Sequence, residues 1–122
     1  MFGYYELGTE RYEARVEEYT NLFKKYGYIV TRPDNESLMV EKDNSIGAFT
    51  IREDGLVAGA FYNSFRKEEL MAGFEKEKAN CSRWKARMGW FFYEHMNRSG
   101  EGYGNHDFSM GEVEWALQRR CA

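Results

Sequence analysis

Residues 46–62 read Ile-Gly-Ala-Phe-Thr-Ile-Arg-Glu-Asp-Gly-Leu-Val-Ala-Gly-Ala-Phe-Tyr, and this stretch decides the fold. Two β-prone runs, Ile46–Glu53 and Leu56–Tyr62, flank Asp54-Gly55, a strong short-range hairpin signal. The expectation is a two-residue turn with positive φ at Gly55. Gly47, Ala48, Ala58, Gly59 and Ala60 are small, and small residues on a sheet let a helix approach closely. Working back, Leu38–Lys42 alternates and stops at Asp43-Asn44-Ser45. Tyr28–Thr31 is β-rich and stops at Pro33-Asp34-Asn35, a turn cluster. Residues 28–62 therefore read as an antiparallel meander of three to four strands.

A helix precedes the meander. Tyr12, Val16, Tyr19, Phe23 and Tyr26 follow one another at spacings of four, three, four and three, one helical face. Thr9 suits the N-cap and Gly27 the left-handed position past the C-terminus. Glu10 and Glu13 lie near the positive end of the helix dipole, Lys24 and Lys25 near the negative end. Met1–Leu7 reads as a short edge strand or an ordered arm.

After Ser64 the period turns helical. Leu70, Phe74, Glu77, Cys81, Trp84, Met88, Phe91 and His95 alternate spacings of four and three. A single helix over Phe65–Asn97 would be about 50 Å long at 1.5 Å per residue, too long for a globule with a radius of gyration of about 14 Å. Two segments, or a bend near Asn80–Ser82, are expected instead. Were the helix continuous, its Leu70–Phe91 stripe would resemble a coiled-coil seam and call for a homodimer. Ser99–His106 is glycine-rich and reads as a loop. Ser109 and Glu112 form a capping box, with Phe108 and Val113 as its hydrophobic staple, and Val113, Ala116 and Leu117 make an inward stripe. The fold class is α+β in one domain, residues 1–122: an N-terminal helix, the meander, then two or three helices packed on the sheet.

Composition bounds the function. Of 122 residues, 17% are aromatic, more than so small a core encloses, and exposed rings favour protein interfaces. A net charge of −3 argues against nonspecific coating of nucleic acid. The chain has no signal-peptide pattern and no run long enough to span a membrane, so a cytoplasmic protein is expected. Cys81 and Cys121 have no zinc spacing and read as reduced thiols.

Against that acidic background, residues 81–100 carry four Lys/Arg and one Glu. Within them Arg83, Lys85 and Arg87 interleave with Trp84 and Trp90, a pattern that suits phosphates, bases or an acidic protein face. If residues 83–90 are helical, Arg83, Arg87 and Trp90 share a partly exposed face, Trp84 is core, and Glu in place of Arg83 and Arg87 leaves the fold intact. Arg83, Lys85, Arg87 and Trp90 are the candidate binding residues. The competing reading is a core helix with snorkelling cations.

Catalytic signals are sparse. His95 lies on the long apolar face and reads as a packed histidine. His106-Asp107 sits between a glycine loop and a capped helix, where the pair shapes the helix entry or serves a metal or a base. Gly102-Tyr103-Gly104 follows a helix and lacks a third glycine, so it is no phosphate fingerprint. The order helix, strands, helix matches a double-stranded-RNA-binding domain, but Ser64–Glu69 is charge-neutral and the loop before it has no basic run, so that assignment fails. In general character the chain resembles the small, aromatic-rich, motif-free proteins with which bacteriophages block host defences, anti-CRISPR proteins among them. That likeness rests on no matched residue and carries no site. The expectation is a non-enzymatic protein-binding inhibitor or adaptor, of the kind phages encode, acting on a protein or a protein–nucleic acid complex, with no cofactor, no metal and no membrane. The alternatives are a nucleic-acid-binding module using residues 83–90 and a small His- or metal-dependent enzyme using His95, His106 and Asp107.

Overall fold

The structure, a computed structural model, describes residues 4–79, 86–98 and 108–120. Helix α1 (Glu10–Lys25) leads into strands β1 (Ile29–Asp34), β2 (Ser37–Lys42), β3 (Ser45–Ile51) and β4 (Val57–Asn63). A 3-10 turn (Ser64–Arg66) then precedes α2 (Lys67–Lys78), and α3 (Met88–Arg98) and α4 (Met110–Arg120) follow. The strands form one antiparallel sheet in the order β1-β2-β3-β4. The expected α+β architecture is the observed one.

Helix α1 is closed by its own neighbours in sequence. Thr9 Oγ1 accepts from Tyr12 N at 3.2 Å, and Gly27, at φ 88°, ends the helix by donating to Lys24 O at 3.0 Å. Tyr12, Val16, Tyr19, Leu22 and Phe23 are its buried residues. Tyr4–Leu7 form no strand, but Tyr5 N donates to Glu53 O at 2.8 Å, so this part of the terminus is an ordered arm.

The central hairpin differs in one respect from its expected form. Arg52 N donates to Leu56 O, and Gly55 N to Arg52 O, which closes a three-residue loop rather than a two-residue one. Gly55 has φ 87°, as expected, but Asp54 has no positive φ. A two-residue type I′ turn needs both, so the chain makes an ordinary turn followed by a left-handed glycine bulge. Two-residue turns lie instead at Asn35-Glu36, between paired Asp34 and Ser37, and at Asp43-Asn44, between paired Lys42 and Ser45, where Asp43 takes φ 51°. Strand β1 runs on through Pro33, with a register shift between Thr31 and Asp34; proline is tolerated because β1 is an edge.

Helices cover both faces of the sheet. On one face α1 and α4 pack on Leu38, Val40, Phe49, Ile51 and Val57. Phe49 stands opposite Gly59 and Phe61 opposite Gly47, so each ring lies over a glycine, and the two rings meet edge-on at 5.1 Å. On the other face α2 and α3 pack on Ile46, Ala48, Ala60 and Tyr62. Of the small strand residues, Ala48 and Ala60 face α2 and α3, whereas Gly47 and Gly59 lie under the Phe61 and Phe49 rings; the close approach of α3 rests on its own Gly89, where a Cβ would stand 1.9 Å from Thr50 N.

Among the described residues of the stretch 65–97, two separate helices stand where one continuous helix was the alternative, in keeping with the size of the globule. Helix α2 ends at Lys78 and α3 starts at Met88; Asn80–Ser82, where the break was expected, lies outside the described residues. Leu70, Phe74, Met88 and Phe91 meet in one intramolecular core, so the seam that called for a homodimer does not form. Before α4, Ser109 N donates to Glu112 Oε1 and Glu112 N to Ser109 Oγ, the expected capping box. Phe108 exchanges both backbone hydrogen bonds with Val57 at the start of β4.

Candidate functional site

The basic–aromatic segment divides at the boundary of the described residues. Arg83, Trp84 and Lys85 lie outside them, as do Cys81, Cys121, His106, Asp107 and Gly102-Tyr103-Gly104. Arg87 and Trp90 lie inside, at the entry to α3. Ala86 and Arg87 are not helical, so the face-sharing of Arg83, Arg87 and Trp90 on one helix loses its premise.

The first amides of α3 have no partners within the helix. Strand side chains supply them. Met88 N donates to Asp34 Oδ2 at 3.1 Å, Gly89 N to Ser37 Oγ at 3.3 Å, and Trp90 N to Thr50 Oγ1 at 2.9 Å. Ser37 and Thr50 also share a hydroxyl–hydroxyl hydrogen bond of 2.9 Å. The acceptors come from three adjacent strands, and the two hydroxyls are themselves buried: Ser37 is 1% exposed and Thr50 0%. The absence of a Cβ at Gly89 lets the helix end come near enough.

Arg87 completes this cluster. Its Nε lies 3.4 Å from Glu36 Oε1, and the Glu36 side chain is only 4% exposed. Arg87 is partly exposed, as expected, its side chain 23% open, and its charge compensates a buried carboxylate. Trp90 is half-buried, with its ring 5.4 Å from that of Tyr93. Asp34 and Glu36 also act on Tyr12 below them. Tyr12 donates to Ile51 O at 2.7 Å, and burial, aided by the Glu36 carboxylate, holds its phenol well above the ordinary range.

His95 sits between Phe91, stacked at 6.1 Å, and Tyr62, edge-on at 5.8 Å. Arg66 Nη2 lies 2.9 Å from its Nε2. A guanidinium only donates, so Nε2 accepts and the ring proton is on Nδ1. His95 is a packed and hydrogen-bonded histidine, as expected. Among the described residues no group of three or more His, Cys, Asp or Glu could hold a metal ion.

The opposite flank is built differently. Between α1 and β1 runs a groove of about 680 Å³, floored by Val16, Val30 and Leu38. Glu10, Glu13 and Glu17 stand along its helix wall and Arg32 on its strand wall. Arg32 grips Glu13 with two hydrogen bonds, 2.7 and 3.0 Å, and this guanidinium lowers the carboxyl below its usual range. The other cations of α1 turn away. Arg15 donates twice to Gly55 O, and Arg11 lies 4.0 Å over the Tyr4 ring. Tyr19 joins Arg15 at Gly55 O with a 2.8 Å bond, and burial pushes its phenol up to about 12.

Sequence reasoning assigned Glu10 and Glu13 to the helix dipole alone. Their spacing with Glu17, three and four residues apart on the side away from the buried stripe, was the signal for a continuous acidic wall. Asp34, Glu36, Ser37 and Thr50 gave no such signal, since their partners are 40 to 54 residues away.

Several large apolar side chains are exposed: Tyr4, Ile29, Phe65 and Trp115. Trp115, 58% exposed on α4, carries the Arg119 guanidinium 4.0 Å above its ring. No helix among the described residues is long and apolar enough to cross a membrane. No protein-family model, curated protein or solved structure matches the chain.

Proposed function

We propose that this chain is a non-enzymatic protein-binding module, an inhibitor or adaptor that acts on another protein or on a protein–nucleic acid complex. In character this is the role of a phage-encoded, anti-CRISPR-like antagonist, working in the cytoplasm. The observation that carries the reading is Trp115, presented on the outer face of α4 beneath Arg119. Exposing a large ring costs solubility, and Trp and Arg are the residues on which protein interfaces most often depend. Nucleic-acid binding through residues 83–90 gains no such support, because Arg87 is paired with Glu36.

The test is affinity capture from a bacterial lysate with the intact chain, before and after nuclease and across a salt series. A discrete protein should be retained after nuclease and should be lost with Trp115→Ala. Retention of nucleic acid alone, with affinity falling steeply as salt rises, would reverse the order of the two readings. The homodimer expected from a continuous seam is not part of this proposal, since Leu70, Phe74, Met88 and Phe91 are buried within one chain.

A further inference from the structure

The α1–β1 flank combines three features. Strand β1 is the outer strand, and among the described residues nothing pairs with its far edge. Alternate backbone N–H and C=O groups along that edge are therefore open to a further strand. The groove beside it is acidic: Glu13 is neutralised by Arg32, while Glu10 and Glu17 have no partner among the described residues. Ile29, at the start of β1, is 73% exposed and offers apolar contact on the other side of the edge.

From these features we infer that the β1 edge and the α1 groove bind an extended, basic segment of a partner protein, which joins the sheet as a fifth strand. This deepens the protein-binding reading and rests on it. Side chains of the added strand alternate, and those turned toward α1 pass the row of carboxylates. Glu10 and Glu17 are seven residues apart, about 10 Å along the helix. Alternate side chains of a strand are about 6.7 Å apart, so two or three alternate Lys or Arg residues reach both. Pro33 has no N–H to offer and limits the pairing to Ile29–Arg32. A second copy of this chain is the poorer occupant, because a two-fold pairing of β1 edges sets one acidic wall against another.

The probe is a fluorescein-labelled peptide of alternating Lys and Val, seven residues long, titrated with the intact chain. Its affinity should fall as salt rises, and should fall at least tenfold with Glu10→Gln/Glu17→Gln, whose folding is checked by circular dichroism. Strand addition is read separately by N-methylating the peptide backbone at either the Lys or the Val positions. One set should lose at least tenfold and the other little, since only alternate amides face β1. Equal effects of the two methylations, or unchanged affinity in the double variant, would overturn the inference. So would a stable dimer joined through β1. If the peptide fails to bind while the Trp115-dependent partner is still captured, the groove assignment falls and the protein-binding reading stands.

Discussion

At the entry to α3 polar side chains turn inward; along α1 and β1 they turn outward. The α3 entry gathers Asp34, Ser37 and Thr50 onto three helix amides, and Arg87 onto buried Glu36. The α1 flank leaves Glu10 and Glu17 facing an open groove beside an unpaired edge. Groups that satisfy one another hold the fold together; groups left in water are available to a partner. The contrast relocates the candidate surface. The basic–aromatic segment that dominates the sequence contributes, in its described half, to structure. The acidic helix that looks ordinary in sequence lines the open groove.

Substitutions at the two flanks should differ in size accordingly. The largest effect belongs to Gly89. A side chain there meets the backbone of Phe49 and Thr50 rather than a movable side chain. Gly89→Val should cost about 4 kcal/mol or more, seen as loss of the cooperative urea transition in tryptophan fluorescence. A variant as stable as the parent would show that α3 does not lie against β3.

Arg87→Ala comes next. It removes a cation from beside Glu36, which is 3% exposed, and removing one partner of a largely buried pair costs about 3 kcal/mol. Chemical denaturation should show that loss, with much of it restored by Arg87→Met/Glu36→Gln. A change under about 0.5 kcal/mol would return Arg87 to the surface role that its sequence pattern suggests.

Tyr19, at the hairpin tip under α1, gives a pH signature. Its phenol ionises near pH 12 in the folded chain and near its ordinary value of about 10 in the unfolded one. The unfolded state therefore loses its proton first. The stabilisation is complete below pH 10 and disappears as pH rises toward 12. Urea titrations at successive pH values should show a fall approaching about 2.7 kcal/mol, because each tenfold difference in proton affinity between the two states is worth about 1.36 kcal/mol. The fall should be shallower in Tyr19→Phe, with Tyr12 contributing in the same sense.

Thr9→Ala should give the smallest of these effects. It removes the local cap of α1, worth about 1 kcal/mol by thermal denaturation. A loss as large as that of Arg87→Ala would erase the distinction between a locally closed helix and one closed by the sheet.

That distinction also explains what was legible in the sequence. Thr9, the aromatic stripe from Tyr12 to Tyr26 and Gly27 lie within one short segment, and their order alone defines α1. Gly55 and the Ser109–Glu112 box are local in the same way. The start of α3 is not: its N-terminal partners come from residues 34, 37 and 50, and no capping residue announces Met88. A four–three apolar spacing continued across the break because α2 and α3 address the same core, so periodicity did not reveal two helices while the dimensions of the globule did. Asp54-Gly55 identified the hairpin but not its loop length, which depends on the sign of φ at Asp54. The groove was hidden because its walls, α1 and β1, meet only in the folded sheet.

Native-state hydrogen exchange reads both flanks in a single experiment. If the α3 entry is closed by the sheet, the amides of Gly89 and Trp90 should exchange only with global unfolding, at the rate of the amides in β3. The amides of β1 that face away from β2 should exchange far faster. Rapid exchange at Trp90, or full protection along both edges of β1, would contradict the assignment of a closed flank and an open one.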